Sequence, residues 1–372
     1  VEYPLVTMDS GRILSIESLT ASDQLSANAT YSFPEATLAP SFVDIHIHGS
    51  AGHDVMEASP QAMDKIGAYL ATRGVGAYLP TTVTSARDET LRSLAGLATE
   101  IKRLQQTTPT GATPFGIHLE GPFLSSHKRG VHTASLLEAP SIALFERFWQ
   151  ASEGHILLLT IAPELPGALE LIAHATQLGV RCSMGHTDAV FDEAHAGFTA
   201  GARSATHTFN AMRALDHRDP GVIAYVFDQQ ALFAEIICDG IHVDPAMVRL
   251  YFKAKGKDRA ILVTDGIMAT GMPEGTYMLG DMEVQVHDGR CVSGGRLAGS
   301  ILTLDRAVRN FMEFTGASLD IAVTAASHNP SQLLGVDDRW GSLAEGRVAN
   351  IAVLSPTSQV VQNFLAGRPT IG

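Results

Sequence analysis

The sequence predicts an α/β protein: a (β/α)8 TIM-like barrel with a small β-sandwich domain built from its two terminal segments. Three observations point there. Through the middle of the chain, short β-branched or apolar runs that end in polar residues alternate with longer stretches of helical periodicity, which implies a parallel sheet. The runs number eight over about 250 residues, as a closed barrel requires. Both ends of the chain are instead β-rich, with turn residues between the runs.

Taken in order, the expected barrel strands are Phe42–His48, Ala77–Thr82, Phe115–Glu120, Ile156–Ala162, Val180–Met184, Ser204–Phe209, Phe233–Cys238 and Ala260–Asp265. The segments between them read as helices; in GALELIAHATQLG (Gly167–Gly179) the last glycine is a stop, because glycine tolerates the left-handed conformation that ends many helices. An open doubly wound sheet is the rival arrangement, and the phosphate fingerprint it often carries is missing. GVGAYL (Gly74–Leu79) lacks the third glycine and precedes a strand instead of following one. TYMLGDMEVQVHDGRCVSGG (Thr276–Gly295) alternates in strand fashion and reads as a β-hairpin inserted after the eighth strand. GRILSIE near the start and GSLAEGRVANIAVLS near the end are expected to pair, which gives a small β domain of residues 1–38 plus 341–372 around a catalytic barrel of residues 39–340.

The chain has 372 residues, of which 45% are hydrophobic and only 17% charged, so it can bury a large core. Lys plus Arg number 26 against 39 acidic residues, a net charge of -13, which argues against nucleic acid or an anionic membrane as partner because both reward a basic surface. No apolar run reaches the roughly 18 residues a membrane span needs, and VEYPLVTMDSGRILSIES lacks the charged and apolar regions of a signal peptide. Cys182, Cys238 and Cys291 are odd in number and far apart, without CxxC spacing. A reducing, cytoplasmic location is the expectation.

The run SFVDIHIHGS (Ser41–Ser50) sets His46 and His48 one residue apart and stops on Gly49. Side chains alternate between faces of a strand, so both imidazoles point one way while Ile45 and Ile47 point the other, a geometry that suits a metal ion. Barrels of this kind keep their active sites at the C-terminal ends of the strands. There the sequence places Glu120 in GIHLEGPF, His186 in SMGHTD, His207 in ATHTFNAM and Asp265 in LVTDG. Each alone has an ordinary explanation: a histidine bonded to backbone, a capping aspartate, a surface glutamate. Four histidines and two carboxylates at one rim reverse that reading. His, Glu and Asp without cysteine suit a borderline divalent metal, zinc first, with iron, cobalt or manganese as alternatives. Six ligands exceed the usual three plus a water at one catalytic zinc. Either two ions sit about 3.5 to 4 Å apart, one on His46, His48 and Asp265 and one on His186 and His207 with Glu120 bridging, or a single ion sits on Glu120, His186 and His207.

HIHG, HLEGPF, GHT, THTFNAM followed by HRDPG, DGIHVD and LVTDG, in this order from about Pro40 to Pro330, resemble the amidohydrolase superfamily and, within it, the N-acetylglucosamine-6-phosphate deacetylases. The resemblance implies a homodimeric, metal-dependent barrel enzyme that turns N-acetylglucosamine 6-phosphate and water into glucosamine 6-phosphate and acetate. Some members of that family have glutamine and asparagine where this chain has His46 and His48, and keep one metal; the histidines here favour a second site. By the same likeness Asp265 is expected to take a proton from water and deliver it to the departing amine, since amines leave poorly unless protonated. His132, in RGVHTA, matches the histidine that polarises the carbonyl. The substrate contacts implied are Val131, His132, Asn210, Ala211, Arg218, Asp239, Gly240, Ile241, His242, Leu297, Ala298 and Gly299. Arg218 and His242 are expected on the phosphate, because a guanidinium fork suits phosphate oxygens, and in the family that arginine can reach across the dimer.

Three rival readings remain. The galactosamine epimer calls for the same chemistry. A cyclic-amide hydrolase of the same superfamily typically bridges its metals with a carboxylated lysine after strand four, where TIAPE (Thr160–Glu164) has none. A barrel that had become a scaffold would have lost ligands, and none is lost. The SxxK spacing at Ser125–Lys128 stands without an SDN or KTG element, and GxSxG, HExxH and the Walker loop are absent.

Overall fold

A computed structural model describes residues 4–18, 27 and 29–370. Eight parallel strands follow one another around the molecule in chain order: β1 (Phe42–Ile47), β2 (Val75–Thr82), β3 (Ile117–Glu120), β4 (Ile156–Ile161), β5 (Arg181–Met184), β6 (Ala202–Ala205), β7 (Phe233–Ile237) and β8 (Ala260–Val263). β1 meets the end of β8 through bonds from Asp265 N–H to His46 O (2.8 Å), His48 N–H to Gly266 O (2.8 Å) and Gly49 N–H to Gly266 O (3.0 Å), so the barrel is nearly closed. Asp44, on the inner face of β1, draws the seam together by accepting from Thr264 Oγ1 at 2.6 Å.

The strands are buried along their whole length or nearly so, as expected of a parallel sheet covered by helices. Outward residues such as Val43, Ile45 and Ile47 belong to one continuous core with helix residues including Met63, Ile66, Leu97, Phe145 and Phe311. Local sequence sets the helix ends. Ser59 accepts from Ala62 N–H ahead of Pro60 at the start of the Pro60–Ala71 helix. The Ala168–Gln177 helix lies between Gly167 and Gly179, both with φ near 85° (84° and 86°). The barrel interior below the rim is polar: His118 Nε2 meets Thr160 Oγ1 (2.8 Å), which meets Thr206 Oγ1 (2.9 Å), which donates to Ser183 Oγ (2.7 Å).

Strand six differs most from expectation. It spans Ala202–Ala205 instead of Ser204–Phe209, because His207, Phe209 and Ala211 take φ values of 29°, 82° and 52° and turn the chain over the barrel mouth. The β-branched Thr206 and Thr208 gave that turn the appearance of a strand. The insertion after β8 is a meander of four antiparallel strands, Gly275–Leu279, Met282–His287, Arg290–Ser293 and Arg296–Leu297, where a single hairpin was expected. It has its own apolar layer, in which Leu279, Val284, Val286, Cys291 and Ala298 pack on Ile267 and Ala269.

The chain ends do come together. Thr37–Pro40 pairs antiparallel with Ile351–Leu354, which continues through Val360–Leu365 to Arg368–Pro369. The ribbon of Pro4–Asp9 and Arg12–Ser18 lies beside this sheet, with Val6 and Met8 packed on Ile351, Val353 and Phe364. Residues 1–3, 19–26 and 28 of the expected 1–38 segment fall outside the described residues. Among the described residues no helix is long and apolar enough to cross a membrane. All three cysteines are buried and free.

Gly49 explains why the His46–His48 run stops as it does. A Cβ there would stand 2.3 Å from His53 O, 3.0 Å from Met268 N and 3.1 Å from Asp54 Cα, all backbone atoms that cannot rotate away. Gly49→Ala is therefore expected to cost roughly 1 to 3 kcal/mol, the usual range for overpacking. Urea unfolding would show this as a lower midpoint, and an unchanged midpoint would show that the rim can relax around a methyl group.

Candidate metal centre and cavity

The six expected ligands converge at the C-terminal mouth of the barrel, and all are buried. Glu120, the last residue of β3, stands between two nests. Its Oε2 is 3.3 Å from His48 Nε2 and 3.5 Å from His46 Nε2, while its Oε1 is 3.2 Å from His207 Nε2 and 3.3 Å from His186 Nε2. Asp265 Oδ1 completes the first nest at 3.1 Å from His48 Nε2 and 3.6 Å from His46 Nε2. His186, His207 and Asp265 have φ values of 47°, 29° and 49°. Backbone in such sparsely populated regions costs roughly 1 to 3 kcal/mol per residue and persists only where the surroundings enforce it. Asp265 is enforced from both sides, by its N–H on His46 O and by Ser300 N–H on its own carbonyl (2.8 Å each).

The donor chemistry fits a divalent cation. His46 Nδ1 donates to Glu235 Oε2 (3.1 Å), His48 Nδ1 to Thr81 O (3.0 Å) and His186 Nδ1 to Lys128 O (3.0 Å). With the hydrogen held at Nδ1, a neutral ring offers its Nε2 lone pair to the centre. His46 Nε2 is buried there without a hydrogen-bond partner. His186 Nε2 and His207 Nε2 lie 3.1 Å apart, close to the separation of about 3.3 Å between two ligands on one tetrahedral ion with bonds of roughly 2.0 to 2.1 Å. The electrostatics agree. Burial lowers the pKa of His48, but Asp265 and Glu120 outweigh it and push it up to about 9. Burial likewise opposes protonation of His46, and Glu120 and Asp265 raise it well above the ordinary value. Burial raises Glu120 and Asp265 in turn, yet the facing imidazoles, His46 first, hold both below the usual carboxylate range. The mouth is thus a well of negative charge that draws protons onto its histidines when no cation is there to compete.

His132 lies in the same cluster, and ligand atoms of Glu120, His132 and His186 all fall within 4.8 Å of one another. Its chemistry differs from that of the ligands. Thr84 N–H donates to His132 Nδ1 at 3.3 Å, with Thr84 Oγ1 at 2.8 Å, so the neutral ring carries its hydrogen on Nε2. Burial, and then the charge of His186, push its pKa down to about 3. His132 therefore faces the cavity as a hydrogen-bond donor and not as a lone pair.

Beside the centre lies a cavity of about 360 Å³ whose wall includes His48, Glu120, His186, His207 and Asp265. Of the expected substrate residues, Val131, His132, Asn210, Ala211, His242, Leu297 and Gly299 line it. Asp239 stands behind His242: it holds Nδ1 at 2.7 Å and accepts from the N–H groups of Ile241 and His242 at 2.8 and 2.7 Å. Burial lowers the His242 pKa, and the bond to Asp239 more than restores it. Gly240, with φ 75°, and Ile241 form the turn above Asp239 and do not line the cavity. Ala298 is fully buried in the apolar layer of the insertion. Arg218 lies in an exposed turn, its N–H on Asp216 Oδ1 (2.8 Å), away from the cavity of its own chain. Sequence reasoning missed Arg296, which lines the cavity and donates to Gly130 O at 3.0 Å, and the supporting groups Thr84 and Glu235. For Glu235 a signal existed: a lone acid inside the apolar strand FAEII.

A cation bound here stabilises the folded state by mass action, about 2.7 kcal/mol at a free concentration one hundred times its dissociation constant. Calorimetric melting should accordingly fall on treatment with a chelator and recover on adding a divalent metal. Melting that ignores both would remove the ion from this site.

The amidohydrolase family model matches residues 37–370. The chain is 39% identical to the N-acetylgalactosamine-6-phosphate deacetylase of Escherichia coli O157:H7, over 89% of this chain and 87% of that one. It is 36% identical to the N-acetylglucosamine-6-phosphate deacetylase of Bacillus subtilis, over 90% of this chain and 84% of the relative. Among solved structures, a mutant N-acetyl-D-glucosamine-6-phosphate deacetylase from Mycobacterium smegmatis in complex with N-acetyl-D-glucosamine-6-phosphate superposes with a TM-score of 0.90 at 32% identity, covering 99% of this chain and 94% of that one. The N-acetylglucosamine-6-phosphate deacetylase from Pasteurella multocida gives 0.92 at 27% identity, covering 100% and 96%. With the family match spanning nearly the whole chain and its buried His, Glu and Asp groups able to hold a metal, this protein belongs to the amidohydrolase family.

Proposed function

We propose that the chain is a metal-dependent deacetylase that hydrolyses the N-acetyl group of a phosphorylated amino sugar, N-acetylglucosamine 6-phosphate, to the free amine and acetate. The observation that carries this reading is Glu120 set between two nests of imidazoles, with Asp265 and His132 on the same cavity wall. The second reading is the galactosamine epimer, favoured by the relative of that name at 39% identity.

In this reading His46, His48 and Asp265 would hold one ion and His186 and His207 another, with Glu120 available to both; zinc would suit the nitrogen and oxygen donors best. A bound ion supplies Lewis acidity and lowers the pKa of water from 15.7 towards about 7. Asp265, kept ionised by the imidazoles that outweigh its burial, accepts the proton of the attacking water. It returns that proton to the amine nitrogen as the carbon–nitrogen bond breaks, so one carboxylate serves as base and then as acid. His132 donates from Nε2 to the acetyl oxygen as negative charge develops there. His242, braced by Asp239, is the phosphate contact within the chain. Arg218, exposed and outside its own cavity, reaches the phosphate of a neighbouring subunit in a homodimer. The terminal segments 1–38 and 341–372 act as a small supporting domain for a barrel of residues 39–340, and three buried free thiols suit a reducing cytoplasm.

Acetate release across a panel of phosphorylated and free N-acetylhexosamines tests this function and separates the epimers; release from none of them would reject it. Asp265→Asn is expected to lower kcat by roughly 10² to 10⁴. Near wild-type turnover would take Asp265 out of the proton transfer. Arg218→Ala should raise KM for the phosphorylated sugar about tenfold to a hundredfold, as for a lost hydrogen bond to a charged group, and leave the free sugar unaffected. An equal loss on both would place Arg218 elsewhere.

A further inference from the structure

We propose that Glu235 is a positioning residue that tunes the rim to hold an ion on its His46 side, a role that rests on the metal reading above. Glu235 sits in the middle of β7 with Ala234 and Ile236 on either side, and alternation along the strand turns it into the barrel. It is fully buried, as is His46. Its Oε2 accepts from His46 Nδ1 at 3.1 Å and from the backbone N–H of His207 at 3.3 Å. One oxygen thus serves both nests. It fixes the His46 ring with Nε2 towards Glu120 and Asp265, and it ties down the backbone of His207, whose φ of 29° needs an external constraint.

A carbonyl would suffice to set the tautomer, as Thr81 O does for His48 and Lys128 O for His186. A carboxylate behind the ring does more: it makes the far nitrogen a stronger donor and adds negative charge without occupying a coordination position.

Stability alone gives no reason for an acid here. Glu235 Oε1 is buried and has no hydrogen-bond partner. Burying an acid with part of its acceptor capacity unused is costly, and a neutral amide of the same shape could accept the same bonds without a buried charge. A strand built only to pack would carry an aliphatic residue at this position, as it does at Ile236 and Ile237. The cost becomes intelligible once a cation sits on the other side of the His46 ring.

The test is a metal titration of chelator-stripped wild type, Glu235→Gln and Glu235→Ala with Zn²⁺ and with Co²⁺, read by calorimetry and by the Co²⁺ absorption bands, together with melting of each metal-free protein. In Glu235→Ala one class of site is expected to weaken about 10- to 100-fold, the usual cost of removing a group that orients a metal-ligating histidine, with altered Co²⁺ bands. Glu235→Gln keeps an acceptor for Nδ1 and should lose less. Metal-free Glu235→Gln, which keeps an acceptor, should melt at or above the wild-type temperature, whereas metal-free Glu235→Ala, which leaves His46 Nδ1 and the His207 N–H unpaired, should melt below it. Metal uptake by Glu235→Ala identical with wild type, or lower melting of both metal-free variants with unchanged affinity, would overturn the inference and leave Glu235 a packing residue. A wild-type protein that takes up no ion would instead overturn the metal reading beneath it.

Discussion

The arrangement depends on one electrostatic constraint: acids and imidazoles are crowded at a dry barrel mouth with too few protons to satisfy them. Glu120, Asp265, Glu235 and Asp44 are all buried within the ring that surrounds His46. In a low-dielectric interior such a group is expensive unless positive charge is supplied. Protonated histidines supply part of it, which is why His46 and His48 hold protons more tightly than burial alone would allow. A divalent cation supplies more charge in less space. The same crowding that makes these groups costly on their own favours a cation among them.

Holding these groups against one another requires a stiff frame, and the frame is the closure of the barrel. The bonds that close the seam between β1 and β8 run through His46 O, His48 N–H and Asp265 N–H, so the residues that complete the cylinder are those that face the centre. Ser300 extends the constraint into the insertion, with its Oγ on Thr264 O at 2.6 Å and its N–H on Asp265 O at 2.8 Å. Backbone strain at His186, His207 and Asp265 is tolerable only in such a setting.

Much of this was legible in the sequence, and the reason is periodicity. Alternation in FVDIHIHG put His46 and His48 on one face, and the repeated ending of apolar runs in polar residues put Glu120, His186, His207 and Asp265 at one end of the barrel. What escaped has physical causes too. The segment around His207 is rich in β-branched residues but turns, because tertiary bonds such as Thr208 N–H to Glu235 O (2.8 Å) override local propensity. Thr84 and Glu235 act through the second nitrogen of another residue's ring, a relation that leaves no spacing in the chain. Arg296 reaches the cavity from an insertion whose fold was expected to be a simple hairpin. Its contact partner Gly130 is more than 160 positions away, 166 in all.

The bond between Arg296 and Gly130 joins two excursions, the segment after β3 and the meander after β8, across the entrance. Neither excursion contributes one of the six expected ligands, although the first carries His132 up to Glu120 and His186. The molecule is accordingly divided in its labour: the cylinder sets the six clustered acids and imidazoles, and the two appended flaps shape the entrance, the first of them also supplying His132. Such a division lets the rest of the entrance be remodelled while the six clustered groups stay untouched, which gives a structural reason why relatives named for two different hexosamines share so much of this chain.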